Sequence, residues 1–300
     1  MKILILGSEG FIGQHLVRYY LKQQCRVTGC DLVETKSDDY SYYKISLLSN
    51  DTDRLFETNA FDACINAAGS GNVGYSISFP VSDFESNVYA VSKVLDSLRV
   101  HNPSCKYVHI SSAAVYGNPK KLPVNEHDGI NPFSPYGWHK WISELLCREY
   151  TNLFGLKTVI LRPFSVYGPG LKKQLFWELY QKFSKAEDSV ELWGTGMESR
   201  DFIFITDLVI AIDIILKKGD HSAAVYNVGS GYETTIQQIS KEFLSCFRRK
   251  VQLTFNQQVR PGDPLNWRAD ISRLEQLGFT PSYSLENGIR EVANWLNSLP

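Results

Sequence analysis

The first half of the chain alternates short apolar runs with longer stretches whose apolar residues recur at helical spacing. KILILG (2–7) is one strand long, and FIGQHLVRYYLKQQ (11–24) carries Ile12, Leu16, Tyr19 and Tyr20 near one helix face. The alternation continues with strands at 26–32, 63–69, 106–112 and 157–163 and helices at 50–59, 82–100 and 135–154. Strands that alternate with helices predict an α/β fold: a doubly wound parallel sheet with right-handed crossovers.

After about residue 165 the rhythm breaks. A YGPG turn (167–170) precedes helices at 172–185, 207–218, 235–247, 271–277 and 285–298, with short mixed runs between them. The pattern predicts a first domain over 1–165 and a smaller, mixed lobe over 166–300. DFIFITDLVIAIDIIL reads as one more strand and helix of the first domain, so about 200–228 returns to it.

A length of 300 residues suits this division. A net charge of −1 gives no basic excess, which argues against a general nucleic-acid or membrane-surface binder and leaves room for a local basic pocket. The six cysteines are scattered with no CxxC pair, so neither a zinc site nor a disulfide framework is expected, and a reducing cytoplasm fits. No metal is assigned to the six histidines. No apolar run approaches the roughly 18 residues that span a bilayer, and MKILILG lacks the features of a signal peptide.

GSEGFIG sets Gly7, Gly10 and Gly13 between the first strand and the first helix. Such a turn must be tight, must let the backbone approach a pyrophosphate, and presents helix N–H groups to it. Asp31 ends the second strand, where a carboxylate accepts hydrogen bonds from both ribose hydroxyls of an adenosine and repels a 2′-phosphate. The predicted cofactor is therefore NAD, bound in a Rossmann-type domain.

SPYGWHKW (134–141) places Tyr136 and Lys140 four residues apart, on one face of a helix. A tyrosine is a poor base near neutral pH. Lowering its pKa by about three units requires roughly 4 kcal/mol of phenolate stabilisation. A nearby ammonium and a positive nicotinamide ring together are expected to supply it.

HISSAAVYG (109–117), YGWHK (136–140) and LRPFSVYGPG (161–170), followed by RDFIFITD (200–207), YNVGSG (226–231) and RPGD (260–263), resemble the segments of extended short-chain dehydrogenase/reductases acting on nucleotide sugars. The resemblance covers nearly the whole chain. It implies a catalytic Ser112, Tyr136 and Lys140, and a cofactor contacted also by Phe11, Ile12, Ser46, Leu47, Ala67, Ala68 and Pro163. It implies that Arg200 and Arg260 meet a nucleoside diphosphate, that Asp263 holds the nucleotide ribose, and that Ser165 touches the sugar. Trp193 reads as core rather than as a base-stacking residue, and His139 as structural.

Ala113 and Ala114 stand where the family's 4,6-dehydratases carry an Asp-Glu pair, and alanines do no acid–base work, so dehydration is rejected. Asn66, Ser165 and Ser46 depart from the usual residues. The resemblance implies a nucleotide-sugar 4-epimerase of the UDP-glucose/UDP-galactose type, working through a transient 4-keto sugar. The alternative is an NAD(P)H-dependent 4-ketoreductase acting on a 4-keto-6-deoxy sugar. A third reading, a non-catalytic NAD-binding protein, conflicts with the intact Ser112, Tyr136 and Lys140. A homodimer formed through the helices at 82–100 and 135–154 is also implied.

Overall fold

A computed structural model describes residues 1–35, 37–258 and 264–299. The first half runs β1 (Lys2–Leu6), α1 (Phe11–Lys22), β2 (Arg26–Asp31), β3 (Ser41–Lys44), α2 (Asp51–Thr58), β4 (Ala63–Asn66), α3 (Val73–Ser78) and α4 (Pro80–Phe84). One π turn (Glu85–Tyr89) joins α4 to α5 (Ala90–His101). Then come β5 (Lys106–Ile110), a 3₁₀ turn (Ala113–Tyr116), α6 (Pro135–Phe154), β6 (Lys157–Pro163), β7 (Ser165–Tyr167), α7 (Gln174–Lys185) and β8 (Ser189–Leu192). The rest is β9 (Ser199–Arg200), β10 (Phe202–Phe204), α8 (Ile205–Lys218), β11 (Ser222–Val228), β12 (Thr234–Thr235), α9 (Ile236–Ser245), β13 (Gln252–Phe255), α10 (Ser272–Gln276) and α11 (Leu285–Asn297).

Seven strands form one sheet in the order β11-β6-β5-β4-β1-β2-β3, and every pair in it is parallel. The alternation of side chains along β1 explains how both faces are covered. Ile3 and Ile5 join one apolar cluster, and Leu4 and Leu6 join another on the opposite face. The first cluster runs without a break from β1 through Phe176 and Leu179 of α7, Phe202 and Phe204 of β10, to Ile289 and Leu296 of α11. The strand order reverses direction between β1 and β4, which opens a crevice at the carboxyl ends of the strands.

Three differences from the sequence reading have physical reasons. The helix expected over 82–100 is interrupted by the π turn, where Asn87 is buried and donates to the Ser70 carbonyl at 3.2 Å. β3 is an edge strand with mostly exposed residues, so it carries no apolar signature. The strand in DFIFI pairs with β7 in a separate two-stranded sheet, while α8 packs on α1 and β6 and the outer strand of the main sheet is β11. Among the described residues no helix is long and apolar enough to cross a membrane.

Candidate active site

The crevice between β1 and β4 is built by glycine. Gly7 follows β1 with φ +76°, and a Cβ there would lie 2.7 Å from the Ala68 amide nitrogen. A Cβ on Gly13 would lie 1.9 Å from the Gly7 carbonyl oxygen, so the turn and the helix close together only as glycines. Gly10 is the N-cap of α1 and no side chain caps the helix, which leaves the first-turn amides at Phe11, Ile12 and Gly13 for a ligand. Asp31, at the end of β2, accepts from the amides of Glu9 at 2.9 Å and Leu32 at 2.7 Å. Beside it, the Glu9 carboxylate accepts from the Tyr40 hydroxyl. Ser46 caps a turn through Leu48 and Ser49, and Leu47 packs against the second apolar cluster beside Ala68. Pro163 ends β6 opposite Val228.

The other wall comes from β5 and α6. Ser134 starts α6 by accepting from the Gly137 amide at 3.1 Å, and Pro135 suits the first helical position. The Tyr136 amide donates to Ser76 Oγ at 3.1 Å, which ties the start of α6 to α3. Lys140, one turn on, is buried and donates to the Ile110 carbonyl at 3.1 Å, its Nζ 5.9 Å from the centre of the Tyr136 ring. Ser112 caps the 3₁₀ turn through the Ala114 amide at 3.1 Å, and its hydroxyl also reaches Tyr136. The structure therefore brings Ser112, Tyr136 and Lys140 together.

Their electrostatics differ from the sequence expectation. Burial pushes the Tyr136 hydroxyl up to about 12; the Ser112 hydrogen bond pulls it down and Asp83 pushes it further up. Burial pulls Lys140 down to about 8, against the raising effects of Asp83 and Glu144. In the cofactor-free protein desolvation, not a neighbouring charge, dominates the tyrosine. Two buried acids stand behind the pair. Asp83 is wholly buried and bonds His139 Nδ1 at 2.6 Å, so His139 serves a structural hydrogen bond. Glu144 accepts from Ser111 at 2.6 Å and forms a two-pronged pair with Arg162 at 2.9 and 2.7 Å. Neither acid was singled out from sequence. Their partners lie 18 to 56 residues away, so no local pattern marks them.

The chain matches the NAD dependent epimerase/dehydratase family over residues 3–229. It belongs to that family. A Bacillus subtilis relative named as an uncharacterized UDP-glucose epimerase, YtcB, is 31% identical over 100% of this chain and 99% of its own. A crystal structure of UDP-glucuronic acid 4-epimerase from Bacillus cereus, with UDP-glucuronic acid and NAD, is similar at TM-score 0.90 and 27% identity, covering 99% of each chain. A UDP-N-acetylglucosamine 4-epimerase from Methanobrevibacter ruminantium M1, in complex with UDP-N-acetylmuramic acid, is similar at TM-score 0.89 and 25% identity, again over 99% of each chain. The chain is an enzyme of this NAD-dependent epimerase/dehydratase family, on a Rossmann-type sheet.

The residues present fit the family's cofactor. The start of α1 has no side-chain cap, so its amides would suit a pyrophosphate, and Asp31, beside Glu9, would accept from an adenosine ribose and oppose a 2′-phosphate. Ser165 begins β7 and is partly exposed. The Arg200 guanidinium lies over the Trp267 ring at 5.8 Å and donates to the Ser199 and Leu265 carbonyls at 2.8 and 3.2 Å. Arg260 and Asp263 lie outside the described residues. Asn66 is buried, with its amide donating to the Tyr107 hydroxyl at 2.8 Å and its oxygen accepting from Ala68 at 3.1 Å. These bonds tie it to β5 and to the loop after β4. Trp193, read as core from sequence, is 46% exposed.

Proposed function

We propose that this protein is an NAD-dependent nucleotide-sugar 4-epimerase acting on a UDP-sugar, with UDP-glucose and UDP-galactose as the first pair to test. The observation that carries the reading is the convergence of Ser112, Tyr136 and Lys140 at the carboxyl edge of the sheet, next to the glycine crevice. Ala113 and Ala114 follow Ser112 with no carboxylate of their own, which speaks against dehydration. Asn66 and Ser165 depart from the usual residues and together weigh in sequence toward a ketoreductase. Against that, Asn66 is engaged by Tyr107 and Ala68 within the fold.

Bound NAD supplies reversible two-electron oxidation of the sugar carbon and a positive ring charge. The chain supplies the proton chemistry. Tyr136 takes the proton of the sugar 4-hydroxyl and returns it. Ser112 holds that oxygen toward Tyr136. Lys140, fixed by Ile110, contributes charge to the tyrosinate and a donor to the cofactor ribose. Ser165 is assigned to the sugar and Arg200, with Arg260, to the diphosphate, where a guanidinium suits phosphate oxygens. Asp263 is assigned to the nucleotide ribose. Residues 166–300 would then carry most of the nucleotide-sugar contacts and 1–165 the cofactor contacts.

The deciding experiment incubates purified protein with UDP-glucose, UDP-glucuronic acid or UDP-N-acetylglucosamine, adding no reduced cofactor. Formation of a 4-epimer supports the reading. Failure with all three, together with consumption of NADH or NADPH on a 4-keto sugar, would replace it with the ketoreductase.

A further inference from the structure

A lysine that the scheme above leaves unused reaches into the crevice from the opposite side. Lys173 is the N-cap residue of α7, shortly after the YGPG turn, and Gln174 behind it has a left-handed backbone with φ +65°. Its Nζ lies 3.3 Å from where a Cβ on Gly71 would sit, in the loop after β4. The residue is exposed overall, while protein atoms near its ammonium partly desolvate it. Desolvation lowers its pKa, and no carboxylate offsets that effect. Its charge also opposes that of Lys140, and it is one of the groups that pull Lys140 down.

The segment around it lies against the cofactor turn. A Cβ on Gly168 or Gly170 would stand 3.6 or 3.7 Å from the Phe11 ring, and His15 Nε2 meets the Pro169 carbonyl at 3.1 Å. The α7 helix begins without a side-chain cap, so the positive end of its dipole adds to the lysine. Two ammonium groups thus face one crevice, each partly desolvated and repelling the other. An arrangement of this kind costs free energy in the empty protein and returns it when an anion enters.

The geometry points to Lys173 as a docking cation for an anionic group of a ligand bound in the crevice: a carboxylate on the sugar, or a phosphate of the nucleotide. The assignment rests on the nucleotide-sugar reading above and extends it to the charge class of the ligand. Lys173 touches neither Tyr136 nor Ser112 in the structure's hydrogen bonds, so its place is in recognition rather than in proton transfer.

Lys173→Ala and Lys173→Arg separate the sources when binding of NAD, UDP-glucose and UDP-glucuronic acid is measured by calorimetry. Loss of affinity by about tenfold or more in Lys173→Ala is expected for at least one ligand, the size of a charge-assisted hydrogen bond, with Lys173→Arg retaining most of it. A loss confined to UDP-glucuronic acid assigns the carboxylate. An equal loss for both UDP-sugars assigns their diphosphate, and a loss for NAD assigns the dinucleotide. Affinities of Lys173→Ala within twofold of wild type for all three ligands overturn the proposal. So does a Lys173→Arg variant as weak as Lys173→Ala, or a wild-type protein that binds none of the three. Binding is read without turnover. A protein that docks an anionic ligand through Lys173 yet forms no 4-epimer would sink the epimerase reading and leave this one standing.

Discussion

Burial sets Tyr136 and Lys140 against the charge states that proton transfer needs. The tyrosine holds its proton up to about pH 12 and the lysine releases its own near 8. Tyr136→Phe should lower kcat by about 10²–10⁴-fold and leave the thermal midpoint nearly unchanged. A rate within threefold of wild type would remove Tyr136 from the chemistry. Lys140 makes a second, less intuitive prediction. Its pKa falls from 10.5 unfolded to about 8 folded, so between those values the unfolded chain binds more protons and stability rises with pH. Below pH 8 the charged lysine therefore costs about 3 kcal/mol, at 1.36 kcal/mol per pKa unit. Lys140→Met should make the cofactor-free protein harder to unfold in urea at pH 7, with the gain shrinking toward pH 10.5, while abolishing activity. Equal or lower stability at pH 7 would show that the lysine is not under strain. The spacing of Tyr136 and Lys140 was legible because one helical turn writes it into the chain. Asp83 and Lys173 were not, since each meets its neighbours only through the tertiary fold.

At the scale of elements, what could be read was what periodicity encodes. β1, β5 and β6 are buried on both faces and read as unbroken apolar runs, while α1 and α6 are long enough to show the 3.6-residue pattern, and α6 runs over Pro135–Phe154 as the pattern predicts. The pairs β7 with β10, β8 with β13 and β9 with β12 are two to four residues long, too short to leave a period. The π turn also leaves no local mark, because one extra residue in a turn changes which face each side chain takes without changing composition. The start of α6 carries an element-scale prediction. Ser134 is buried and caps the helix that presents Tyr136 two residues later. Ser134→Ala should cost about 1 kcal/mol of stability, read as a lower thermal midpoint. Because the cap also orients the first turn, kcat should fall more than binding of the UDP-sugar weakens. A variant with unchanged midpoint and unchanged kcat would show that Pro135 alone sets the helix start.

At the scale of the whole molecule, α4, the π turn and α6 pack side by side and leave large apolar groups uncovered. Phe79, Val81, Phe84 and Tyr89 come from α4 and its flanking turns and Trp138 and Leu145 from α6, with Val81 71% exposed. A second copy of the chain is the occupant that the family resemblance implies. Trp138→Glu should then convert a dimer to a monomer in sedimentation velocity, without unfolding it. Wild-type protein that sediments as a monomer would end that proposal. The main sheet also has a feature that bears on how the chain can be divided. Its outermost strand, β11, and a helix packed on β5 and β6, α8, are supplied from beyond residue 200, and the Asn227 side chain closes a buried chain of contacts through Tyr116 to Arg162 and Glu144. A fragment cut at residue 165 would keep every residue assigned above to the cofactor and still not be a working half. It would carry β6 as a raw edge, an arginine stripped of its neighbour's anchor, and an apolar face open to other chains. Such a truncation belongs in inclusion bodies, and shuffling of parts between relatives would succeed only if residues 200–228 travelled with the first 165.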